Sequence, residues 1–273
     1  MRLRAAAVAG SFYPGDPRRL SAAVAAYLAA PAPREPAAAS RLRCLVVPHA
    51  GYVYSGPTAG VGYRLLPALL EDVDRVVLIG PAHRQAVNGV AVSAADAWST
   101  PLGEVEVDAA ARAALMDRAE ATAAGPVEVR LDDAPHTLEH CLEVQLPFLQ
   151  ATLPDVPVLP LLMGGGGADA VADLLEPWWD APRTLFVIST DLSHYEPAEA
   201  ARRHDAHTAA AICRLDAEGI GDQDACGARP LRAGLRLAAR AEATARLLDL
   251  RNSADTAGGP SRVVGYGAFA IEA

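Results

Sequence analysis

The sequence predicts an α/β fold: a single domain over residues 1–273 with a central, mainly parallel sheet flanked by helices. Short apolar runs rich in β-branched residues alternate with helical patterns along the chain, which is typical of parallel strands joined by crossover helices. A chain of 273 residues buries about three quarters of its unfolded surface, enough for one large core. Polar turns follow several of the buried runs, at the position where open α/β sheets bind ligands.

Local patterns predict the individual elements of the first part of the chain. Residues 42–47 form an apolar run, and Pro48 ends the strand because proline lacks a backbone donor. Asp16 is typical of a helix cap and predicts a helix after it. Pro57 fits the first position of a second helix, which we expect to run through Leu70.

The same reasoning assigns the rest of the chain. Residues 30–40 are rich in proline and alanine and predict a surface connector rather than a domain boundary. Apolar runs and turn residues predict further strands at residues 75–79, 90–93, 103–107, 156–163, 184–189 and 263–271. Helical spacing predicts helices at residues 108–118, 137–149, 197–215 and 230–250, with a flexible loop at residues 251–262.

Composition narrows the classes of partner and compartment. The formal net charge is −9, and the sequence has no basic patch, so a nucleic-acid partner is not expected. The cysteines show neither a CxxC pair nor disulfide-framework spacing, which fits a reducing compartment and predicts a cytoplasmic protein. No run approaches the roughly 18 apolar residues of a membrane span, so no membrane association is expected.

Imidazole and carboxylate side chains follow three of the predicted strands. His49 comes after the first, His83 after the second, and Asp191 and His194 after a later one. Because the carboxyl ends of parallel strands share one edge of the sheet, these side chains are expected to converge on one crevice, as metal ligands do. The alternative, three unrelated turn histidines, is the weaker interpretation.

Cys226 is the fourth candidate for this crevice. It lies just before a predicted helix and close to Arg229. Both the helix dipole and the arginine are expected to lower the thiol pKa and favour the thiolate, the form that binds metal. Cys44, Cys141 and Cys213 lie within apolar stretches and are expected to be ordinary core residues.

A second histidine motif carries an alternative chemistry. Residues 136–140 match H-x-x-E-H, the inverted zinc-peptidase motif, in which His136 and His140 bind zinc and Glu139 is the base. A helix cap at Thr137 would place His136 outside the helix, so we prefer His140 as a residue of the crevice wall. The two histidines of the charged helix at residues 197–215, His204 and His207, are expected to be solvated.

Several short motifs follow one another along the chain: residues 9–14 (AGSFYP), 48–52 (PHAGY), 80–83 (GPAH), 139–140 (EH), 145–148 (QLPF), 191–195 (DLSHY) and 226–227 (CG). Taken together and in order, they resemble those of the Memo family, whose bacterial members are called AmmeMemoRadiSam system protein B. The family is similar in fold to the class III (LigB-type) extradiol dioxygenases, which are non-haem iron enzymes. The resemblance therefore implies a class III extradiol dioxygenase-like fold.

The resemblance also implies a set of site residues. The metal ligands of the family fall on His49, His83 and Cys226, and the acid/base histidine of the dioxygenases falls on His194. The dioxygenases have a glutamate where this chain has the cysteine. Fe(II) is the expected metal, with copper or zinc as alternatives because a soft thiolate widens the choice of metal.

The predicted function is that of a metal-dependent redox enzyme, a mononuclear non-haem Fe(II) dioxygenase-like oxidoreductase. It would act with dioxygen on a small substrate, for which an aromatic ring is allowed but not required. His194, oriented by Asp191, is expected to move protons. His140 is expected to serve catalysis or contact the substrate and Tyr54 to contact the substrate, with Tyr52 and Trp98 nearby.

Two other functions remain open at this point. One is a non-catalytic adaptor module that binds a metal or a peptide, and the lesser one is a zinc hydrolase that uses His136, Glu139 and His140. Partner proteins of the AmmeMemoRadiSam system are implied by the resemblance alone, and the sequence leaves the oligomeric state open.

Overall fold

The computed structural model describes residues 1–30, 42–121 and 127–273. The predicted connector at residues 30–40 lies, apart from Ala30, outside the described residues. The described strands are β1 (Leu3–Arg4), β2 (Leu42–Val47), β3 (Arg75–Pro81), β4 (Val90–Val92), β5 (Ala97–Thr100), β6 (Gly103–Glu106), β7 (Val129–Leu131), β8 (Val158–Met163), β9 (Thr184–Ser189), β10 (His194–Glu196), β11 (Thr244–Asn252) and β12 (Val263–Glu272). The described α-helices are α1 (Pro17–Ala29), α2 (Tyr52–Tyr63), α3 (Ala109–Ala121), α4 (Ala134–Thr137), α5 (Leu146–Thr152), α6 (Ala168–Asp180), α7 (Ala198–Cys213) and α8 (Ala228–Arg240).

The strands form one large mixed sheet and one small sheet. The large sheet has the order β10-β12-β2-β9-β3-β8-β4-β7, and β11 pairs with the outer side of β12. Its centre, β2-β9-β3-β8, is parallel, whereas β12 and β4 join this centre as antiparallel strands. Strands β1, β5 and β6 form the small sheet. The predicted α/β fold with a central parallel sheet and flanking helices is confirmed.

The central strands are buried on both faces because helices cover both sides of the sheet. Alternate residues of β2 illustrate this, since successive side chains of a strand point to opposite faces. Leu45 and Val47 pack into the core on the side of α1, α2 and α5. Cys44 and Val46 pack into the core on the side of α6 and α8. Among the described residues, none of the helices combines the length and the apolar character that a membrane span requires.

The predicted helix at residues 137–149 is wrong. This segment contains the end of α4, a 3-10 turn at Glu143–Gln145 and the start of α5. Pro147 lies in the first turn of α5. Backbone N–H groups in the first turn have no acceptor within the helix, so the N–H that proline lacks costs no hydrogen bond there. The proline therefore opens a helix instead of ending one.

The predicted helix at residues 230–250 is also too long. Helix α8 ends at Arg240, and Glu242 takes a left-handed conformation with φ of 52°. The chain then enters β11, which pairs with β12 over almost its whole length and replaces the predicted loop up to Asn252. Cross-strand pairing outweighs the helix propensity of this alanine- and leucine-rich segment.

Helix α2 begins earlier than predicted, and this brings it next to His49. Gly51 is the N-cap residue, and Pro57 lies inside the helix. The Ser55 hydroxyl donates a hydrogen bond to the carbonyl of Ala50 (2.7 Å), so it does not cap a helix start. The first turn of α2 therefore closes directly onto the turn after β2.

Candidate metal centre

The sheet brings the predicted ligands together at the carboxyl edge of its parallel strands. His49 follows β2, His83 follows β3, and Cys226 precedes α8. The Nε2 atom of His49 lies 3.2 Å from the Sγ atom of Cys226, and the ring centroids of His49 and His83 are 5.1 Å apart. One nitrogen from each histidine and the sulfur all lie within 4.8 Å of one another. The predicted convergence of these three residues is present.

Asp191, two residues after β9, links two of the three candidate ligands. Its Oδ1 atom accepts hydrogen bonds from the backbone N–H groups of His49 (2.7 Å) and Ala50 (3.3 Å). Its own backbone N–H donates to the Sγ atom of Cys226 (3.3 Å), and its carbonyl accepts from the Cys226 N–H (3.2 Å). The sequence suggested that Asp191 orients His194. In the structure its carboxylate holds the turn of His49 instead.

His194 lies in β10, which is a short strand rather than a loop. Its Nδ1 atom is 2.7 Å from the carbonyl of Leu192, and since a carbonyl only accepts, Nδ1 carries the proton. In the neutral imidazole, Nε2 then holds the free lone pair. The next residue, Tyr195, has φ of 63°, and the register with β12 shifts at this point. Such a bulge re-aims the side chains beside it.

A buried carboxylate orients His83. The Oε1 atom of Glu139 is 3.0 Å from Nδ1 of His83, and Oε2 accepts from the backbone N–H groups of His83 (2.6 Å) and Arg84 (3.2 Å). The Nδ1 proton of His83 therefore points to Glu139, and Nε2 is left for a metal, an arrangement common among metal-binding histidines. Burial alone would raise the pKa of Glu139, but hydrogen bonds with His140 and His83 hold it well below its usual range.

His140 forms a wall of the crevice, as predicted. Its ring centroid lies 4.9 Å from that of His83 and 5.4 Å from that of His49, and the Phe12 ring covers it at 4.5 Å. His83, Glu139 and His140 form a second group of potential metal ligands. Glu139, however, already accepts hydrogen bonds from four backbone N–H groups, those of His83, Arg84 and residues 140 and 141. Its oxygens are therefore occupied by orienting hydrogen bonds.

The zinc-hydrolase alternative is wrong because His136 points away from the crevice. It lies in α4, apart from Glu139 and His140, and is completely buried. Its Nε2 atom faces the carbonyl of Ala91 (3.2 Å), and its ring packs on Trp98 with a centroid distance of 5.5 Å. Among the described residues, His136 belongs to neither group of potential metal ligands.

The sequence placed three aromatic residues near the crevice, and only one of them, Tyr54, is exposed. Trp98 is completely buried under the guanidinium of Arg4, 4.2 Å from its ring centroid. Tyr52 is buried, and its hydroxyl donates to the carbonyl of Val144 (2.7 Å). Tyr54 is 38 % exposed in the first turn of α2, which leaves it free to contact a ligand.

The Cys226 thiol is not activated in the way the sequence suggested. Burial, followed by the charge of Asp191, raises its pKa to about 12. Arg229 donates to the carbonyl of Gly164 instead of approaching the sulfur. The predicted lowering of the pKa by Arg229 and the helix dipole is therefore wrong. The cost of burying the charged thiolate outweighs the effects of both Arg229 and the helix dipole on the thiol pKa.

His204 connects the segments that carry His194 and Cys226. Its Nδ1 atom is 2.8 Å from a carboxylate oxygen of Glu196, and its Nε2 atom is 2.8 Å from one of Asp224. The expectation that His204 is solvated is wrong, since only 25 % of its side chain is exposed. His207 is exposed, as expected.

The contribution of His204 to stability is expected to depend on pH. Its hydrogen bonds with Asp224, and then with Glu196, raise its pKa. A raised folded-state pKa means that the stabilisation is complete below the unfolded value of about 6.5 and is lost as the pH rises through the folded-state pKa. Urea unfolding should therefore show a larger loss of stability for His204→Gln at about pH 6 than at about pH 9. An equal loss at both pH values, or the same trend in His207→Gln, would contradict this role.

The fold and the donor set define an α/β protein with a candidate metal centre at the carboxyl edge of its parallel strands. A family model described as Memo-like protein matches residues 4–270. The chain is 35% identical to a MEMO1 family protein of Methanosarcina acetivorans over 287 residues, covering 100% of both chains. It is 35% identical to one of Aquifex aeolicus, covering 97% of this chain and 98% of the relative, and 36% identical to one of Archaeoglobus fulgidus, covering 95% of each. The chain belongs to the Memo family, which confirms the resemblance seen in the sequence motifs.

Proposed function

We propose that His49, His83 and Cys226 hold one metal ion and that the protein is a metal-dependent redox enzyme of the dioxygenase-like kind. The observation that carries this proposal is the group of two imidazole nitrogens and one sulfur within 4.8 Å of one another. Three ligands from one side leave other coordination positions open, as in the facial-triad iron oxygenases. Family membership supports a shared fold and site but does not identify a reaction.

The donor set fits a transition metal. Bond lengths of about 2.0–2.3 Å to nitrogen and sulfur place ligand atoms around one ion at separations comparable with the 3.2 Å between His49 Nε2 and Cys226 Sγ. Fe(II) is the metal we propose, because the family resemblance implies an iron-dioxygenase-like fold, and copper or zinc would also suit two imidazoles and a thiolate. When bound, Fe(II) would supply one-electron chemistry with dioxygen.

The other crevice residues are assigned to the substrate. In its neutral form, His194 keeps Nε2 unprotonated because Nδ1 donates to Leu192, so Nε2 can take a proton from a small substrate. His140 and Tyr54 lie at the wall and the rim, where they can contact the substrate. Asp191 acts through the backbone of His49 and is a positioning residue.

Removing a ligand should remove the metal. His49→Ala and His83→Ala are each expected to lose most of the bound metal while the fold survives, because each deletes one of three ligands at the carboxyl edge of an intact sheet. The protein is to be purified without oxygen or chelator and its metal content measured by elemental analysis. His207→Ala, which deletes an exposed histidine of α7, should retain the parent's metal. Full occupancy in both ligand variants would show that these histidines are not the ligands.

The competing proposal is a non-catalytic module that binds a peptide in the same crevice. Exposed apolar side chains next to the crevice residues favour it: Leu138 precedes Glu139, Tyr195 follows His194, and Val53 and Tyr54 lie in the first turn of α2. Metal retention together with dioxygen uptake in a substrate screen would support the enzyme. A metal-free protein that binds peptides through these side chains would support the module.

A further inference from the structure

A series of hydrogen bonds between buried polar side chains ends at the Nδ1 atom of His49. The Oγ atom of Ser189, the last residue of β9, lies 2.9 Å from Nδ1 of His49. Gln145 contacts the same Oγ atom at 2.8 Å, and Tyr63 contacts Gln145 at 3.0 Å. All of these side chains are at most 2 % exposed, so their protons must be shared among themselves and nearby backbone groups.

The orientation of the Gln145 amide follows from its backbone partner. The carbonyl of Pro48 lies 2.9 Å from one end of the amide, and because a carbonyl only accepts hydrogen bonds, that end must be the NH2 group. The other end is Oε1, which accepts from the Tyr63 hydroxyl. The second proton of the NH2 group then points to Ser189 Oγ, so Ser189 accepts from Gln145.

The single proton of the Ser189 hydroxyl is also accounted for. The carbonyl of Cys141 lies 2.7 Å from Oγ and can only accept, so the hydroxyl donates to it. If the hydroxyl instead donated to His49, two oxygen lone pairs would face each other across 2.7 Å without a proton between them. Ser189 Oγ therefore accepts from both Gln145 and His49.

We propose that Ser189, held by Gln145, is a positioning residue that fixes His49 in the tautomer with the proton on Nδ1. The lone pair on Nε2 then faces the Cys226 sulfur at 3.2 Å, where a metal ligand is needed. The role in metal binding rests on the proposed function, whereas the tautomer itself does not. Glu139 orients His83 with a negative charge, but Ser189 orients His49 with a neutral group, so the two imidazoles are expected to differ in basicity.

The tautomer can be read directly in the metal-free protein. Long-range proton–nitrogen correlation spectra of 15N-histidine-labelled protein at neutral pH distinguish protonated from unprotonated ring nitrogens, and the His49→Ala variant identifies the signals of His49. In the parent protein, Nδ1 of His49 should be protonated and Nε2 unprotonated. In Ser189→Ala, the acceptor is lost, and the spectrum should shift toward a proton on Nε2, which can donate to the Cys226 sulfur.

A matched control separates this effect from the loss of any buried hydroxyl. Ser93 is completely buried, and its hydroxyl bonds to Asp133 and Trp98 at 3.1 Å each, outside the crevice. Ser93→Ala should leave the His49 spectrum unchanged. Titration with zinc alone should show an affinity about 10–100-fold lower in Ser189→Ala than in Ser93→Ala, the usual effect of losing such a partner.

Two results would overturn the proposal: a proton on Nε2 of His49 in the parent, or a Ser189→Ala spectrum identical to that of the parent. Equal zinc affinity in Ser189→Ala and Ser93→Ala would overturn its role in metal binding. A parent protein that binds no metal, with Nδ1 protonated as expected, would instead contradict the proposed function and leave the tautomer assignment intact.

Discussion

Replacing Arg4 by alanine is expected to lower the free energy of unfolding by about 3–5 kcal/mol, because it leaves a buried carboxylate without its counter-ion. Arg4 pairs with Glu143, and the two side chains are 6% and 0% exposed. The guanidinium also donates to the carbonyls of His136 (3.0 Å) and Glu139 (2.7 Å). One substitution therefore removes an ion pair and two buried hydrogen bonds.

The loss should be large because Glu143 organises the N-terminal segment. Its carboxylate accepts from the backbone N–H groups of Ala7 (2.8 Å) and Val8 (3.0 Å) and from the hydroxyl of Tyr13 (2.6 Å). Arg4 therefore contacts the chain on both sides of His140, at His136 and Glu139 before it and at Glu143 after it. We therefore expect Arg4→Ala to weaken the support of the crevice wall as well as the global stability.

Urea unfolding of Arg4→Ala and Arg2→Ala provides the measurement and its control. Arg2 pairs with Asp133 at 3.3 Å, but its side chain is 65% exposed, and such surface pairs contribute less than about 1 kcal/mol. If Arg4→Ala also loses less than about 1 kcal/mol, the buried pair does not hold the N-terminal segment in place.

The edge of the sheet that carries the site was predictable because its signals are local. The run at residues 42–47 and the proline after it place His49 at a strand end without any knowledge of the fold. The same holds for His83 and Asp191, which follow buried apolar runs. Parallel pairing then brings strand ends to one edge, so the side chains converge although they are far apart in sequence.

The groups that orient the ligands were not predictable in this way. Ser189 contacts His49 from 140 positions away, and Gln145 contacts Ser189 from 44 positions away. No spacing rule connects them, and Gln145 gave a signal only as part of a family motif. Glu139 was recognised only within the zinc-peptidase motif and the family motif at residues 139–140, because its partner, His83, comes 56 positions earlier.

The errors at Cys226 and in residues 244–252 have the same origin. A nearby arginine and a helix start favour a low thiol pKa, but burial, which no local pattern reports, raises it to about 12. The segment 244–252 has helical composition, yet β12 offers it an antiparallel partner. In both cases the tertiary environment outweighs the local preference.

His194→Ala is expected to reduce turnover by about 10²–10⁴-fold while the metal affinity stays near that of the parent. His194 is half-buried in β10 and close enough to His49 for the two imidazoles to interact electrostatically, so it lies near the candidate ligands. It belongs to neither group of potential metal ligands among the described residues. Its Nδ1 proton is held by Leu192, which leaves Nε2 to exchange a proton with a substrate. Losing this group removes proton transfer without removing a ligand.

The test pairs two measurements on anaerobically prepared, Fe(II)-loaded protein. Electron paramagnetic resonance of the nitric oxide adduct reports an intact iron site, and dioxygen uptake with the substrate found by screening reports turnover. A normal nitrosyl signal with uptake reduced at least about 10²-fold supports the role of His194, and His207→Ala should match the parent in both measurements. If His194→Ala loses the metal, His194 is a ligand and the set of His49, His83 and Cys226 is wrong. If signal and uptake are both normal, the hydrogen bond of His194 to Leu192 has only a structural purpose. The proton must then move through another residue of the crevice, and His140 is the candidate for that role.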